Sequence, residues 1–223
     1  MNAHSDSVPD RTRVKVCGLT RAEDIEVAIA AGVDSIGLVF CERSPRHLEP
    51  QQARPLVRLI PAFVSVTALF LNPEKGLVAE VLDQVQPELL QFHGQEPASF
   101  CEAFGRRYIK AIAMGGQDNG LANARQNYPR ACGFLLDSHA PGAMGGSGKA
   151  FDWRHATAAN LPLVLAGGLN PDNVGQAIEQ VQPWAVDVSS GVEEAPGLKS
   201  AVKIKRFLAA VHAADAYRIT REK

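Results

Sequence analysis

The stretch Arg13–Arg21, which reads "RVKVCGLTR", joins an apolar run to a polar turn. The run "RVKVC" is typical of a short buried strand, and the residues after it predict a helix. Thr20 and Glu23 form a T-x-x-E capping box, and Gly32 can end the helix in the left-handed conformation. The stretch therefore predicts a strand followed closely by a helix, which is the repeating half of a βαβ unit.

Short apolar runs of the same kind recur along the whole chain, with helical patterns between them. The eight runs begin near Arg13, Asp34, Phe63, Glu88, Tyr108, Gly133, Leu161 and Trp184. A strand and its helix together take roughly 20 to 30 residues, the length of a βαβ step. Strands this apolar belong to a parallel sheet covered by helices, so eight repeats predict an α/β fold, a single-domain (β/α)8 TIM barrel. A doubly wound open sheet is the alternative.

The chain has 223 residues, 46% of them hydrophobic, which is enough for one well-buried core. We expect the barrel to occupy residues 13–212, between a flexible N-terminal tail of residues 1–12 and a C-terminal extension of residues 213–223. Pro55 lies inside the expected second helix, where proline removes a backbone hydrogen bond. We therefore expect that helix to begin late or to kink.

Charge and cysteine content indicate which class of partner and which cell compartment to expect. The formal net charge is -1 with both signs interspersed, which favours a small-molecule partner over nucleic acid or a membrane surface. The four cysteines form no CxxC pair, so we expect reduced thiols in the cytoplasm and no structural zinc. No apolar run reaches the roughly 20 residues of a membrane helix, and the polar start lacks the apolar segment of a signal peptide.

Polar residues gather where the apolar runs stop, and in a barrel of this kind the site lies at those carboxyl ends of the strands. Cys17 ends the first run and Asp137 ends "GFLLD", so the two could exchange protons across one mouth. Lys15 shares the strand parity of Cys17, and its ammonium would favour the thiolate. Taken singly, a cysteine such as Cys17 is more often a small buried hydrophobe than a catalyst, and Asp137 could equally be a solvated carboxylate or a helix cap.

The loops after the seventh and eighth strands are candidates for phosphate binding through backbone N–H groups. The candidate residues there are Gly168, Ser189, Ser190 and Gly191, and tight turns with serine caps are the competing explanation. The glycine-rich stretch at residues 141–153, "PGAMGGSGKAFDW", does not match a phosphate loop because Ala143 and Ala150 replace required residues. A flexible lid fits it better, with a plain surface loop as the alternative.

Three further residues at strand ends are candidates for substrate binding. Arg46 in "ERSPRHL" could bind a carboxylate with its planar guanidinium, although most loop arginines are solvated. His93 could bind substrate or form hydrogen bonds within the scaffold. Asp187 could orient substrate hydroxyls or satisfy backbone groups. Cys41, at a neighbouring strand end, is interpreted as packing.

Six fragments, in order from about Arg13 to Phe207, resemble the phosphoribosylanthranilate isomerases of tryptophan biosynthesis. They are "KVCGLTR", "GLVFCERSPRHL", "QFHGQE", "LLDSHAPGAMGGSGKAFDW", "LAGGLNPDNV" and "AVDVSSGVE". The resemblance covers nearly the whole chain, and it is the ordered set that makes it specific.

The resemblance implies an Amadori rearrangement of N-(5-phosphoribosyl)anthranilate with no cofactor and no metal. In it, Asp137 is similar to the general acid that protonates the ring oxygen, and Cys17 to the general base that removes the C2 proton. Arg46 resembles the residue that pairs with the anthranilate carboxylate, and the last two loops resemble the phosphate cradle. The expected partner is a small phosphorylated molecule, and the expected assembly is a monomer or a homodimer.

Two other functions stay open from the sequence. The related sugar-phosphate isomerase of histidine biosynthesis performs similar ring-opening chemistry. The pattern of that family has an Asp at the end of the first strand, where this chain has Cys17. A phosphate-binding barrel that has lost catalysis is the second alternative, because a fold alone does not establish a reaction.

Overall fold

The computed structural model describes residues 11–114, 121–138 and 162–221, and within them eight parallel strands form a closed barrel. Each strand pairs with the next along the chain, and β1 pairs with β8 to close the ring. The strands are β1 Arg13–Cys17, β2 Ser35–Val39, β3 Ser65–Phe70, β4 Leu89–Phe92, β5 Tyr108–Ala113, β6 Gly133–Asp137, β7 Leu163–Leu165 and β8 Ala185–Val188. The expected barrel is confirmed, and every strand begins within two residues of its expected start.

Helices lie between the strands and cover the outside of the barrel. Within the described residues they are α1 Ala22–Ala30, α2 Pro50–Val57, α3 Lys75–Gln84, α4 Ala98–Glu102, α5 Leu121–Asn127, α6 Val174–Val181 and α7 Ala201–Arg221. None of these helices is long and apolar enough to cross a membrane. The glycine-rich stretch that the sequence suggests as a lid lies outside the described residues.

Two local expectations about helix starts are wrong. Thr20 does not cap α1, because its hydroxyl donates to the carbonyl of Gly197 and Arg21 occupies the cap position. Helix α2 does not begin late, since it starts at Pro50 with a capping box made by Glu49 and Gln52 and includes Pro55. The start of α1 is decided by the contact of Thr20 with the distant Gly197, and the start of α2 by the reciprocal hydrogen bonds of Glu49 and Gln52. Neither start follows from the type of one residue alone.

The inside of the barrel is divided into a polar and an apolar part. The side facing β5 to β7 is filled by apolar side chains that pack together, namely Ile109, Ala111, Leu135 and Ala166. The side built by β1, β3, β4 and β8 buries polar side chains instead, namely Lys15, Thr67, Gln91 and Asp187. Because buried polar groups need partners, the polar side is held by specific hydrogen bonds rather than by volume alone.

The two ends of the described chain are tied to each other. Thr12 is buried, and its backbone N–H and hydroxyl donate to the carboxylate of Asp215 at 2.8 and 2.7 Å. Helix α7 runs without a break through Ala213, where the sequence suggested that an extension begins. Thr12, Ala214, Asp215 and Arg218 are therefore buried parts of the packed barrel.

One feature after β8 has no counterpart among the sequence expectations. A 3-10 turn, Ser190–Val192, leads into a short antiparallel hairpin of β9 Glu193–Ala195 and β10 Leu198–Lys199. Gly197 turns the hairpin with φ +82°, and a Cβ added there would lie 2.7 Å from the carbonyl oxygen of Pro45. The hairpin is thus packed against the loop that follows β2, which carries Arg46.

Candidate active site

A cavity opens at the carboxyl ends of the strands and brings together six of the candidate residues. Its polar lining includes Cys17, Arg46, His93, Asp137, Asp187 and Ser189. Val39, Leu69 and Leu71 form an apolar wall, and Cys41 also contributes to the lining. The cavity therefore offers ionisable groups on several sides and an apolar surface on another.

Cys17 is the last residue of β1 and is only 5% exposed. It pairs in register with Gly37, where an added Cβ would lie 2.8 Å from Sγ and 2.9 Å from Cα of the cysteine. Only glycine leaves room there for the thiol, because real Cβ atoms do not approach so closely. The sequence of β2 thus provides the space in which the thiol of β1 lies.

The ionisation of Cys17 differs from the sequence expectation. Burial raises the pKa of the thiol above its ordinary value, and this outweighs the nearby Lys15 ammonium, which lowers it. Asp187 raises the pKa further and Lys199 lowers it. The ammonium does favour the thiolate, as expected, but the resting side chain is a thiol at neutral pH.

Lys15 and Asp187 form a buried ion pair directly below this site. Lys15 Nζ donates to Asp187 Oδ1 at 2.9 Å, and both side chains are less than a tenth exposed. Burial lowers the pKa of Lys15, but Asp187 and Cys17 together raise it above its ordinary value. The lysine is therefore a fixed positive charge beneath the thiol.

Arg46 is held by a carboxylate that lies far away in the sequence. Its Nε and NH2 donate to Glu193 Oε1 and Oε2, each at 2.7 Å, in a bidentate arrangement. The side chain is 13% exposed, so the alternative of a solvated loop arginine does not apply. No hydrogen bond joins its NH1 to another described residue, which leaves that nitrogen to meet a ligand.

Glu193 and Lys199, the residues behind Arg46, were missed by the sequence analysis. Lys199 Nζ donates to Glu193 Oε1 at 2.7 Å and to the carbonyl oxygen of Ser189 at 3.1 Å. Burial raises the pKa of Glu193, but Arg46 and Lys199 lower it more, so the net shift is downward. Burial lowers the pKa of Lys199. The dipeptide Pro196–Gly197 is the turn signal that could have indicated this hairpin.

His93 lies between two buried polar side chains. Its Nδ1 is 3.0 Å from Gln91 Nε2, and its Nε2 is 3.2 Å from Asp137 Oδ2. Asp137, the last residue of β6, is 6% exposed and lines the same cavity as Cys17. The scaffold interaction expected for His93 is therefore present, and the histidine touches the candidate acid itself.

The loops after β7 and β8 meet beside this cavity. Gly168 follows β7 with φ +70°, and its carbonyl accepts from the side chain of Asn173 at 2.9 Å. A Cβ added to Gly191 would overlap the carbonyl oxygen of Leu169, so these loops are in direct contact. Ser189 lines the cavity, and its hydroxyl donates to the carbonyl of Cys17 at 3.0 Å. Ser190, which follows Ser189, is the first residue of the 3-10 turn Ser190–Val192.

Comparison with known proteins decides the family. A model of the family described as N-(5'phosphoribosyl)anthranilate (PRA) isomerase matches residues 14–210. The chain belongs to this isomerase family. The expectation of a phosphoribosylanthranilate isomerase, an enzyme of tryptophan biosynthesis, is thus confirmed at the level of the family.

Individual relatives agree with this assignment. The chain is 52% identical over 214 residues to N-(5'-phosphoribosyl)anthranilate isomerase of Bordetella pertussis, covering 92% of this chain and 98% of the relative. Its likeness to the enzyme of Stenotrophomonas maltophilia is 50% identity over 207 residues, covering 92% of this chain and 95% of that one.

Solved structures of the family share the barrel. Phosphoribosyl anthranilate isomerase from Thermotoga maritima superposes with a TM-score of 0.82 at 39% identity, covering 91% of this chain and 99% of that chain. A second isomerase, solved in complex with reduced 1-(o-carboxyphenylamino)-1-deoxyribulose 5-phosphate, gives a TM-score of 0.79 at 36% identity with the same coverage.

The lowered pKa of Glu193 predicts a pH-dependent cost for Glu193→Gln. At pH 7 the variant should unfold with about 3 kcal/mol less free energy, because Arg46 and Lys199 lose their shared anion. The ionised form contributes fully above the unfolded pKa of about 4.3 and progressively less as the pH falls through the lower folded value. The difference should therefore shrink in acid. Urea unfolding at several pH values measures this difference in the free energy of unfolding. The control is Glu194→Gln, which changes an exposed neighbour. Equal effects of the two changes would contradict a buried interaction of Glu193 with Arg46 and Lys199.

The raised pKa of Cys17 can be measured directly by alkylation. We expect the iodoacetamide reaction of Cys17, followed by peptide mass spectrometry, to have its pH midpoint above about 8.5, the ordinary value of a thiol. The same peptide labelled in the urea-unfolded chain provides the reference. A folded midpoint at or below the unfolded one would mean that the nearby cations outweigh burial.

Proposed function

We propose that Cys17 and Asp137 act as general base and general acid in the Amadori rearrangement of N-(5-phosphoribosyl)anthranilate to 1-(o-carboxyphenylamino)-1-deoxyribulose 5-phosphate. The observation that carries the proposal is that the thiol and the carboxyl group line one cavity at the carboxyl ends of the strands. The rearrangement moves protons without net oxidation, so an acid and a base suffice for it. It is the reaction of the family to which the chain belongs.

The first step is opening of the furanose ring. Asp137 donates a proton to the ring oxygen as the bond from that oxygen to C1 breaks, and the anthranilate nitrogen supplies the electron pair that forms the C1–N double bond. The products of this step are a protonated Schiff base and the Asp137 carboxylate. Burial of Asp137 suits this role because a low-dielectric site favours the neutral acid before transfer.

The second step is removal of the C2 proton by the Cys17 thiolate. The electrons of the C2–H bond form a C1–C2 double bond, and those of the C1–N double bond return to nitrogen, giving an enol amine. Tautomerisation of the enol amine gives the ketone. Lys15 and Lys199, the two ammonium groups that lower the pKa of the thiol, stabilise the thiolate while it acts.

The side chains around Cys17 and Asp137 orient the substrate. Arg46 presents NH1 to the anthranilate carboxylate, while Glu193 holds the other side of its guanidinium. The apolar wall of the cavity covers the aromatic ring. Asp187 accepts a hydrogen bond from a sugar hydroxyl, and His93, which lines the same cavity, also contacts the substrate.

The phosphate binds to the touching loops after β7 and β8. We assign this role to the backbone N–H groups of Gly168, Ser189, Ser190 and Gly191, since oriented backbone donors bind phosphate well. The direct packing of Gly191 on Leu169 supports the assignment, because it brings the two loops to the same side of the mouth.

We place the protein in the cytoplasm, because its four cysteines are free and free thiols are typical of a reducing compartment. The choice between monomer and homodimer stays a prediction. A solved relative is described as mutually generated monomers of dimeric phosphoribosylanthranilate isomerase from Thermotoga maritima.

The activity is tested by the fluorescence decay of phosphoribosylanthranilate when the purified protein is added. Cys17→Ala and Asp137→Asn should each lower turnover by a factor of about 100 or more, while Cys41→Ala stays within about two-fold of the wild type. Cys41 is a matched control because its thiol lines the same cavity. A near-normal rate in either of the first two variants would remove that residue from its role.

The same assay decides between the alternatives. The histidine-pathway aminoribosyl phosphate is offered in parallel, and turnover of that compound alone would replace the proposed reaction. A folded wild-type protein that binds phosphate and turns over neither compound would indicate a barrel that has lost catalysis.

Arg46 is tested with a substrate that lacks its proposed partner. Arg46→Ala should raise KM for phosphoribosylanthranilate by about 10- to 100-fold, the size of a charge-assisted hydrogen bond. With the phosphoribosylaniline analogue, which has no carboxylate, wild type and variant should have the same KM. Arg43→Ala, in the exposed part of the same loop, is the control. An equal loss with both substrates would assign Arg46 a structural role only.

A further inference from the structure

We infer that Lys199 is a positioning residue that joins the two anion-binding ends of the active site. It holds Arg46 through Glu193, and it holds the loop after β8 through Ser189. Lys199 Nζ donates to Glu193 Oε1 at 2.7 Å, to the carbonyl oxygen of Ser189 at 3.1 Å and to Ser189 Oγ at 3.3 Å. The inference rests on the proposed function, in which Arg46 binds the anthranilate carboxylate and the loop after β8 binds the phosphate.

The lysine acts through these neighbours and does not touch the substrate itself. Its side chain is 0% exposed, and it is not among the described residues that line the cavity. An ammonium group has three hydrogens, and the three acceptors take all of them. A neutral amine has only two hydrogens, so the same contacts favour the ammonium form, although burial lowers the pKa of Lys199. The group is thus fully engaged in holding other parts of the protein.

The hairpin after β8 places the lysine opposite its carboxylate. Lys199 of β10 and Glu193 of β9 are register partners, and directly opposed residues of an antiparallel pair have their side chains on the same face. The backbone N–H of Ser200 donates to the carbonyl of Val192 at 2.8 Å, which holds the ends of the two strands together. The position of the ammonium group is therefore set by backbone pairing.

At the carboxylate end of the site, Lys199 shares an oxygen with Arg46. Glu193 Oε1 accepts from Lys199 Nζ and from Arg46 Nε, each at 2.7 Å, while Oε2 accepts from Arg46 NH2. Two cations on one carboxylate leave this group of three with one net positive charge. Without the lysine, the charge of Arg46 would be balanced by Glu193, and its attraction for a substrate carboxylate would fall.

At the phosphate end, Lys199 sets the orientation of Ser189. The hydroxyl of Ser189 donates its single hydrogen to the carbonyl of Cys17 at 3.0 Å, so Lys199 Nζ meets a lone pair of the same oxygen. The carbonyl of Ser189 accepts from the lysine as well. These contacts hold the peptide that leads into the backbone N–H groups of Ser190 and Gly191, to which the phosphate is assigned.

The primary test measures each end of the site separately in Lys199→Met. The ratio of KM for phosphoribosylaniline to KM for phosphoribosylanthranilate reports the contribution of the carboxylate, and the constant for competitive inhibition by inorganic phosphate reports the phosphate end. We expect Lys199→Met to lower the ratio and to raise the inhibition constant, each by about ten-fold, the size of one charge-assisted hydrogen bond. Arg46→Ala should lower the ratio alone.

Lys203→Met is the matched control. Lys203 Nζ donates to the backbone carbonyl of Glu193 at 2.6 Å, so this change removes the same charge close by and leaves the bonds of the Glu193 carboxylate and of Ser189 in place. Both measures should stay within about two-fold of the wild type. Equal effects of Lys199→Met and Lys203→Met would reduce Lys199 to a share of the general positive charge and overturn the inference.

Two other results would also overturn it. A change at one end only would mean that the lysine does not join the two ends, and a loss confined to kcat would assign Lys199 to the Cys17 thiolate alone. Failure of the proposed function would look different, because the wild type itself would then not turn over phosphoribosylanthranilate. Calorimetry with inorganic phosphate would still compare Lys199→Met with the wild type in that case.

The variant is expected to fold. Lys199→Met leaves Glu193 paired with Arg46, so no buried charge loses its last partner, and urea unfolding checks that the transition stays cooperative. Lys199→Gln, whose amide can still donate to Glu193, is the second variant. It should shift both measures in the same direction as Lys199→Met but by less, and wild-type values of both measures would contradict the role of the charge.

Discussion

The site depends on the closure of β1 on β8. Lys15 and Asp187 are register partners across this seam, and their side chains form an ion pair at 2.9 Å with both groups almost fully buried. A buried charge without its partner is strongly destabilising, so the two strands are held in one register by the pair as well as by their backbone hydrogen bonds. Cys17, two residues beyond Lys15, is thereby fixed at the mouth next to the loop that follows β8. The ion pair that closes the barrel therefore also lies at the base of the candidate active site.

Among the ion-paired side chains beside Cys17, cations outnumber carboxylates by three to two. Lys15, Arg46 and Lys199 face two carboxylates, Asp187 and Glu193, and each carboxylate is bonded to at least one of the cations. In a low-dielectric site such a surplus acts over a longer range than at the surface. It suits a substrate that brings a phosphate and a carboxylate, and it lowers the cost of forming a thiolate in a place where burial alone would prevent it. In the proposed function, binding of the substrate and activation of Cys17 therefore depend on the same charges.

Features that follow from a local periodic pattern could be predicted from the sequence, whereas contacts between residues far apart in the chain could not. Strand starts and the inward parity of Lys15 and Cys17 follow from local alternation, so they could be read directly. The partner of Arg46 could not, because Glu193 lies 147 residues away and only the packed hairpin brings it near. Likewise, the direction of the Cys17 pKa depends on the balance between burial and several charges, and a sequence gives the signs of those charges without their distances. Gln91, which also lines the cavity, had a signal that was not used: it lies on β4 two residues before His93, so strand alternation predicts that it faces the same way.

The raised pKa of Cys17 is consistent with a base that acts on carbon. A group with a higher pKa is a stronger base once ionised, and removal of the C2 proton from a Schiff base demands basicity more than it demands abundance of the ionised form. At neutral pH a thiol whose pKa is raised is present as thiolate in only a small fraction of the molecules. Lys15 and Lys199 limit how small that fraction becomes, since both lower the pKa that burial raises. Burial and the two ammonium groups therefore act in opposite directions on one pKa, and that single value fixes both the basicity of the thiolate and the fraction of molecules that carry it.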